Sequence, residues 1–298
     1  MLIVNPNSGD GIAQNWVYDM IDILSKRYET ISVYFSKSQG DIIRYVSANA
    51  KGYDAIVCCG GDGTMHETLN GLLACGEKIP VGYIPTGTTN DFAVSHGIPR
   101  NIKAAINLLT DATPHAYDAG MFAGNKAFTY VAAFGAFIDV TYKTPQRDKA
   151  NFGYLAYIAE GAKRLPDLKP YSLVVETEDR TVTGDFIVGM VTNTRSVGGM
   201  DFLMPGQTKE MLSDGKLDIT LVSYPTTGPE FQQTVKELTT AGMPQKYVLR
   251  FSADMVKFTF KGECPEWTTD GEFGGKLSEV VIKAVPGAIN LLEGSAAQ

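Results

Sequence analysis

The sequence predicts an α/β domain with a mostly parallel sheet, followed by an antiparallel β-sandwich. Two observations carry this expectation. Short apolar runs alternate with helix-period stretches through the first third of the chain, and near Pro114 the rhythm changes to closely spaced β-like runs with few helices between them. A third observation, glycine-rich turns placed directly after the early apolar runs, indicates where a ligand would sit.

In order, LIVNP reads as a strand, followed by a helix over 12–28; ISVYFS reads as a strand, followed by a helix over 41–50. DAIVCCGG is a buried strand feeding a helix over 65–73, and VGYIP precedes the helical IKAAINLLTD. From Pro114 the β-like runs are AYDAGMF, KAFTYVAAFG, YSLVVETED, TVTGDFIVGMVTN, KLDITLVSY, KYVLRFSA, MVKFTFKG and KLSEVVIKAV, with helices expected over 152–164 and 229–239. A boundary at residue 118 divides an α/β domain (1–118) from a sandwich (119–285), and AINLLEG, within 286–298, reads as a return to the first domain.

Composition narrows the function classes. The 298 residues, 44% hydrophobic and 20% charged, suit a soluble globular protein, with no apolar run long enough to span a membrane and no secretory signal pattern at the start. A cytoplasmic location follows as an expectation. The net charge of −7 argues against nucleic acid as partner. Cys58, Cys59, Cys75 and Cys264 form no zinc spacing with the three histidines, and the adjacent Cys58 and Cys59, on opposite faces of a strand, read as small buried hydrophobes. Charge is uneven: Lys143, Arg147, Lys149, Lys163, Arg164 and Lys169 outnumber Asp148, Glu160 and Asp167 between Thr141 and Pro170. That segment is expected to face anionic membrane, with a solvated loop and helix as the alternative.

Four turns carry the chemistry: NPNSGDG (5–11), GGDGTMHE (60–67), PTGTTND (85–91) and TDGEFGG (269–275). The first three would lie at one sheet edge, where glycine, serine and threonine expose N–H groups and hydroxyls to phosphate oxygens. Neither the GxxxxGK[ST] loop nor a GxGxxG fingerprint after the first strand is present. Asp62, Asp91, Asp270 and Glu272 add carboxylates able to hold Mg²⁺ or accept a proton from an attacking hydroxyl. Asp91 also reads as a cap for the turn or helix that follows it, and Asp62 as a turn former.

Taken together, NPNSG, GGDGT with Glu67 after it, PTGTTND and the late DGE resemble the diacylglycerol kinase catalytic domain family, and more narrowly its bacterial soluble lipid kinases related to diacylglycerol and sphingosine kinases. The resemblance spans residues 3–284. It implies a nucleotide-binding domain, then a β-sandwich with a lipid pocket near the junction, and an ATP- and Mg²⁺-dependent lipid kinase that converts diacylglycerol to phosphatidic acid. Carried over by motif, ATP would contact Asn5, Pro6, Asn7, Ser8, Gly9, Ser36, Gly61, Asp62, Gly63, Thr64, Met65, His66, Glu67, Thr88 and Asp91. Glu272 would be the proton acceptor with Asp270 beside it, and Asp62 is its rival for that role. EMLSDGKLDI resembles a structural Mg²⁺ loop with ligands from Met211, Asp214 and Lys216; a hairpin with an Asp-Gly turn is an equal local reading. Two positions depart from the family pattern: His66 stands where asparagine is usual, and Asp10 where some relatives carry lysine.

Two rivals stay open on sequence alone. One is a kinase of another substrate, such as a sphingoid base or a NAD-kinase-like acceptor; the other is a non-catalytic lipid- or nucleotide-binding regulator. The apolar, aromatic second part (FTYVAAFGAF, FLMP) favours a lipid at the membrane surface as partner, and a homodimer through sheet edges is a further expectation.

Overall fold

Leu2, Ile3 and Val4 are fully buried, and this short run forms the central strand β1 (Leu2–Val4) of a parallel array. The computed structural model describes residues 1–135, 168–199, 206–240 and 242–294. The expected helix over 152–164, the basic positions from Lys143 to Arg164 and the FLMP run fall outside the described residues; Lys169 falls within them.

Beside β1 lie β2 (Val33–Phe35) and β3 (Ile56–Gly60), and beside β3 lies β4 (Val81–Pro85), all parallel. Every residue of β3 and β4 is buried, as expected for parallel strands covered on both faces. The intervening helices are α1 (Ile12–Asn15), α2 (Val17–Leu24), α3 (Asp41–Asn49), α4 (Asp62–Cys75), α5 (Asp91–His96) and α6 (Ile102–Leu108). The single helix expected over 12–28 is broken at Trp16, whose ψ of 0° leaves the helical range. The helix expected from residue 65 begins three residues earlier, because Asp62 already lies in its first turn, and it stops at Gly76 in a left-handed C-terminal cap.

The antiparallel part comprises β5 (Thr113–Phe122), β6 (Lys126–Phe128), β7 (Val131–Gly135), β8 (Tyr171–Glu176), β9 (Thr181–Thr192), β10 (Leu217–Ser223), β11 (Val248–Ala253), β12 (Met255–Phe260), β13 (Glu266–Thr269), β14 (Glu272–Lys276) and β15 (Glu279–Glu293). One further helix, α7 (Gly228–Thr239), is capped by the Thr227 hydroxyl, which accepts from the Glu230 N–H. The fold is therefore the expected one: parallel strands first, then a β-sandwich-like antiparallel part.

The two parts share one hydrogen-bonded sheet, ordered β14-β13-β7-β9-β8-β12-β15-β4-β3-β1-β2, with β5 also on β15. β15 is the bridge. Its first residues pair with β12, it runs antiparallel to β5 along most of its length, and at Leu291 it lies parallel beside Val81 of β4. The register slips between Val285 and Ile289, where Gly287 has φ 61° and gives its N–H to Asp118. One core lies around the parallel strands; another joins Phe122, Phe128, Phe134, Phe258, Phe260 and Trp267. Phe134 meets Trp267 edge-on at 4.8 Å, and the described aromatics of FTYVAAFGAF are core, Tyr130 included.

The expected strand KAFTYVAAFG is split into β6 and β7 at Thr129 and Tyr130. The break has a long-range cause: the N–H groups of residues 129–131 turn toward Asp270.

Candidate active site

β1, β3 and β4 end at one edge, and the turns that follow them pack into each other. A Cβ on Gly87 would lie 2.6 Å from the Gly61 Cα, and one on Gly9 would lie 2.4 Å from the Thr86 carbonyl oxygen. Only glycine permits these approaches. The Thr86 hydroxyl donates to Ser8 Oγ at 2.8 Å, and Asn5 Nδ2 donates to Thr64 Oγ1 at 3.3 Å. Pro6 contributes its carbonyl to Gln14, Asn7 is exposed, and Thr88 is exposed at the tip of the third turn. Ser36, half-buried just past β2, is tied by its N–H to Val4. Bare backbone and hydroxyls thus meet at the N-terminus of α4, whose dipole favours negative charge.

Asp62 stands on the first residue of α4, but its carboxylate serves α5. Oδ2 accepts from the Asp91 N–H at 3.1 Å and the Thr89 hydroxyl at 3.2 Å, and Oδ1 accepts from the Phe92 N–H at 3.1 Å. Burial, reinforced by the neighbouring Asp91 charge, pushes its carboxyl up to about 6 against the lowering pull of those N–H donors. Asp91 does not cap the helix it opens. Its buried carboxylate accepts from the Ser196 hydroxyl at 2.6 Å and the N–H groups of Gly198 and Gly199 at 2.8 Å, fastening the segment after β9 to the third turn.

Across from α4 lies the turn between β13 and β14. Asp270, with φ 47°, is fully enclosed: its carboxylate takes the N–H groups of Thr129, Tyr130 and Val131, the Thr129 hydroxyl and His66 Nδ1 at 2.9 Å. Two residues on, Glu272 is only half-buried, bonded to the Gln39 side-chain amide, and its Oε1 lies 3.9 Å from where a Cβ on Gly63 would sit. Lys126 bonds the Phe273 carbonyl at 2.9 Å; burial pulls its ammonium below the usual lysine range while Glu272 and Asp270 push the other way. Gln39 and Lys126 are neighbours of the acid that no motif identified. A glutamine and a lysine in surface-like stretches carry no signal until the fold places them.

Two other expected contact residues face inward. Met65 is fully buried beside Cys58, and Glu67 grips the start of α3 through the N–H groups of Gly40 at 2.7 Å and Ile42 at 3.1 Å. Met211, Asp214 and Lys216 lie on one turn before β10, where Asp214 Oδ1 accepts the Lys216 N–H at 2.9 Å. Asp118 clamps this turn, taking the Gly215 N–H at 2.7 Å and the Gly287 N–H at 2.9 Å. Cys58 and Cys59 are buried free thiols, each pushed up to about 12 by burial.

Residues 1–122 match the diacylglycerol kinase catalytic domain, and residues 136–293 match the YegS C-terminal NAD kinase beta sandwich-like domain. A Bacillus subtilis protein named diacylglycerol kinase is 30% identical over 279 residues, covering 93% of this chain and 90% of the relative. One of the same name from Staphylococcus haemolyticus is 30% identical over 283 residues, covering 93% and 82%. A crystal structure described as a diacylglycerol kinase from Bacillus anthracis superposes with a TM-score of 0.76 at 23% identity, over 100% of this chain and 97% of that one, and so shares the fold. These matches define the class of protein as a lipid kinase. The chain belongs to the diacylglycerol kinase family. No helix among the described residues is long and apolar enough to cross a membrane.

Proposed function

We propose that this protein transfers the γ-phosphoryl group of ATP to the free hydroxyl of diacylglycerol, giving phosphatidic acid and ADP. The observation that carries this reading is the placing of Glu272, a half-exposed carboxylate, opposite the first turn of α4, where three glycine turns leave backbone open to a triphosphate. Asn5 to Gly9, Gly61 to Thr64 and Thr88 would hold the phosphates, with Ser36 near the nucleoside side. Glu272 takes the proton of the lipid hydroxyl as its oxygen attacks the γ-phosphorus and the bond to the β-bridging oxygen breaks. Asp62, though burial raises its proton affinity, is the less available acceptor, because both of its oxygens already hold N–H donors of α5. Asp270 is saturated and serves to place Glu272.

The Asp214 turn suits a hard cation: its second carboxylate oxygen and backbone carbonyls are oxygen donors, the set Mg²⁺ takes. Met211, Asp214 and Lys216 would hold one ion there structurally, and Mg²⁺ with the nucleotide supplies charge neutralisation on the phosphates. The acceptor lipid would be drawn from a membrane surface on which the chain docks reversibly, aided by the basic stretch from Lys143 to Lys169, and edge strands such as β11 would support a homodimer.

The test is incubation with labelled ATP, Mg²⁺ and mixed micelles of diacylglycerol, sphingosine or a bacterial lipid extract. Label in phosphatidic acid supports the reading; label in a sphingoid phosphate moves the substrate class; transfer to no lipid by protein that binds ATP removes the kinase claim.

A further inference from the structure

His66 is a buried histidine in a position that phosphate binding does not explain. It lies one turn inside α4, 3% exposed, and its Nδ1 meets Asp270 Oδ2 at 2.9 Å. Facing a carboxyl group whose oxygens accept every other hydrogen bond they make, that nitrogen is assigned as the donor. Its Nε2 points away from the phosphate edge, toward Asn70 Nδ2 at 3.4 Å, whose hydrogens go to the carbonyls of His66 and Ala127, both at 2.9 Å. The Asn70 carbonyl in turn accepts the Ala127 N–H at 3.0 Å. So α4 is fastened to the β-rich part at two places one turn apart: Asn70 on β6, and His66 on the turn that carries Glu272.

The geometry points to His66 as a positioning residue: through Asp270 it fixes the β13–β14 turn against the first turn of α4, and so sets where Glu272 stands relative to a bound γ-phosphate. This rests on the proposed kinase reading. Three features support it. Asp270 holds an uncommon left-handed φ of 47°, which needs outside support. Its other donors, residues 129–131, all belong to the β-rich part, so His66 is its one described hydrogen-bond link to α4. And α4 carries both the phosphate-facing glycines at its N-terminus and His66 on its inner face, so the helix transmits one position to the other as a rigid body. A displacement of the acid by about an ångström lowers turnover by up to roughly a hundredfold while leaving nucleotide binding alone.

Two substitutions at one position separate this from plain packing. In His66→Asn the amide nitrogen stands where Nδ1 stood, two bonds beyond Cβ, and still donates to Asp270; in His66→Leu the volume is kept and the donor is lost. With wild-type protein transferring phosphate to lipid, H66L is expected to lose roughly tenfold to a hundredfold in kcat with KM for ATP within about twofold, and H66N to restore most of kcat. Amide hydrogen exchange over residues 269–273 reads the same link without activity: it should quicken roughly tenfold in H66L and not in H66N, as loss of one charge-assisted hydrogen bond implies. If H66L does not fold, H66A carries the same expectations. Equal losses in H66L and H66N, a change confined to KM, or unchanged kcat and exchange in H66L would overturn the inference. A wild type inactive on every lipid removes the kinase reading instead, and the exchange result then decides the role of His66 alone.

Discussion

The two acidic turns that meet near Gly63 and Glu272 use their carboxylates in opposite ways. In Gly60–Thr64 one carboxylate, Asp62, both opens α4 and holds the N-terminus of α5. In Thr269–Glu272 the work is divided: Asp270 is enclosed by five donors, and Glu272 is left half-exposed. The oxygens of Asp270 are taken up by their donors, whereas those of Glu272, bonded to the Gln39 amide, stay open to a ligand. The division leaves the second turn fixed at Asp270 and open at Glu272.

Separating the two residues of the second turn gives the largest expected effects. Glu272→Gln should lower kcat by roughly 10²- to 10⁴-fold, with the unfolding midpoint unchanged, because general-base removal costs that much and the side chain supports little structure. Asp270→Ala should instead unfold the protein more easily, by about 3–5 kcal/mol in urea denaturation, since it strands buried N–H groups and His66. If the two variants behave alike, the division of roles is wrong.

The first turn is sharpened by pH. The folded Asp62 carboxyl, at about 6, lies above its unfolded value, so the folded state holds more protons between roughly pH 4 and 6. Its contribution is present at low pH and lost as pH rises through about 6. Thermal unfolding of the wild type should therefore show about 2 kcal/mol less stability at pH 7 than at pH 4.5, relative to Asp62→Asn, which lacks this titration. A steeper slope in the variant would contradict the burial argument. The smallest effect is expected at Gly87→Ala: the added methyl would stand 2.6 Å from the Gly61 Cα, forcing the turns apart at about 1–3 kcal/mol and weakening ATP binding in titration calorimetry.

Much of this was legible beforehand. The alternation of apolar runs and helical stretches predicted the parallel part, because buried strands and amphipathic helices leave local periodicities. The glycine turns identified their own meeting point, because glycine marks close approach. What the pattern could not show were bonds from a side chain to distant backbone. The break at Thr129 and Tyr130 depends on Asp270, about 140 residues later in the chain. Asp91 looks like a cap and is a clasp on Gly198 and Gly199; the capping is done by Asp62. Glu67, read with the nucleotide motif, holds α3. Each is a carboxylate choosing among N–H donors that only the fold brings near.

A crystal structure with a non-hydrolysable ATP analogue, Mg²⁺ and a short-chain diacylglycerol would test the central claim most directly. The account predicts the γ-phosphate at the N-terminus of α4, between Gly61–Thr64 and the Glu272 carboxylate, with the lipid hydroxyl within hydrogen-bond reach of Glu272. A triphosphate bound elsewhere, or a lipid hydroxyl met by another base while Glu272 faces solvent, would contradict it.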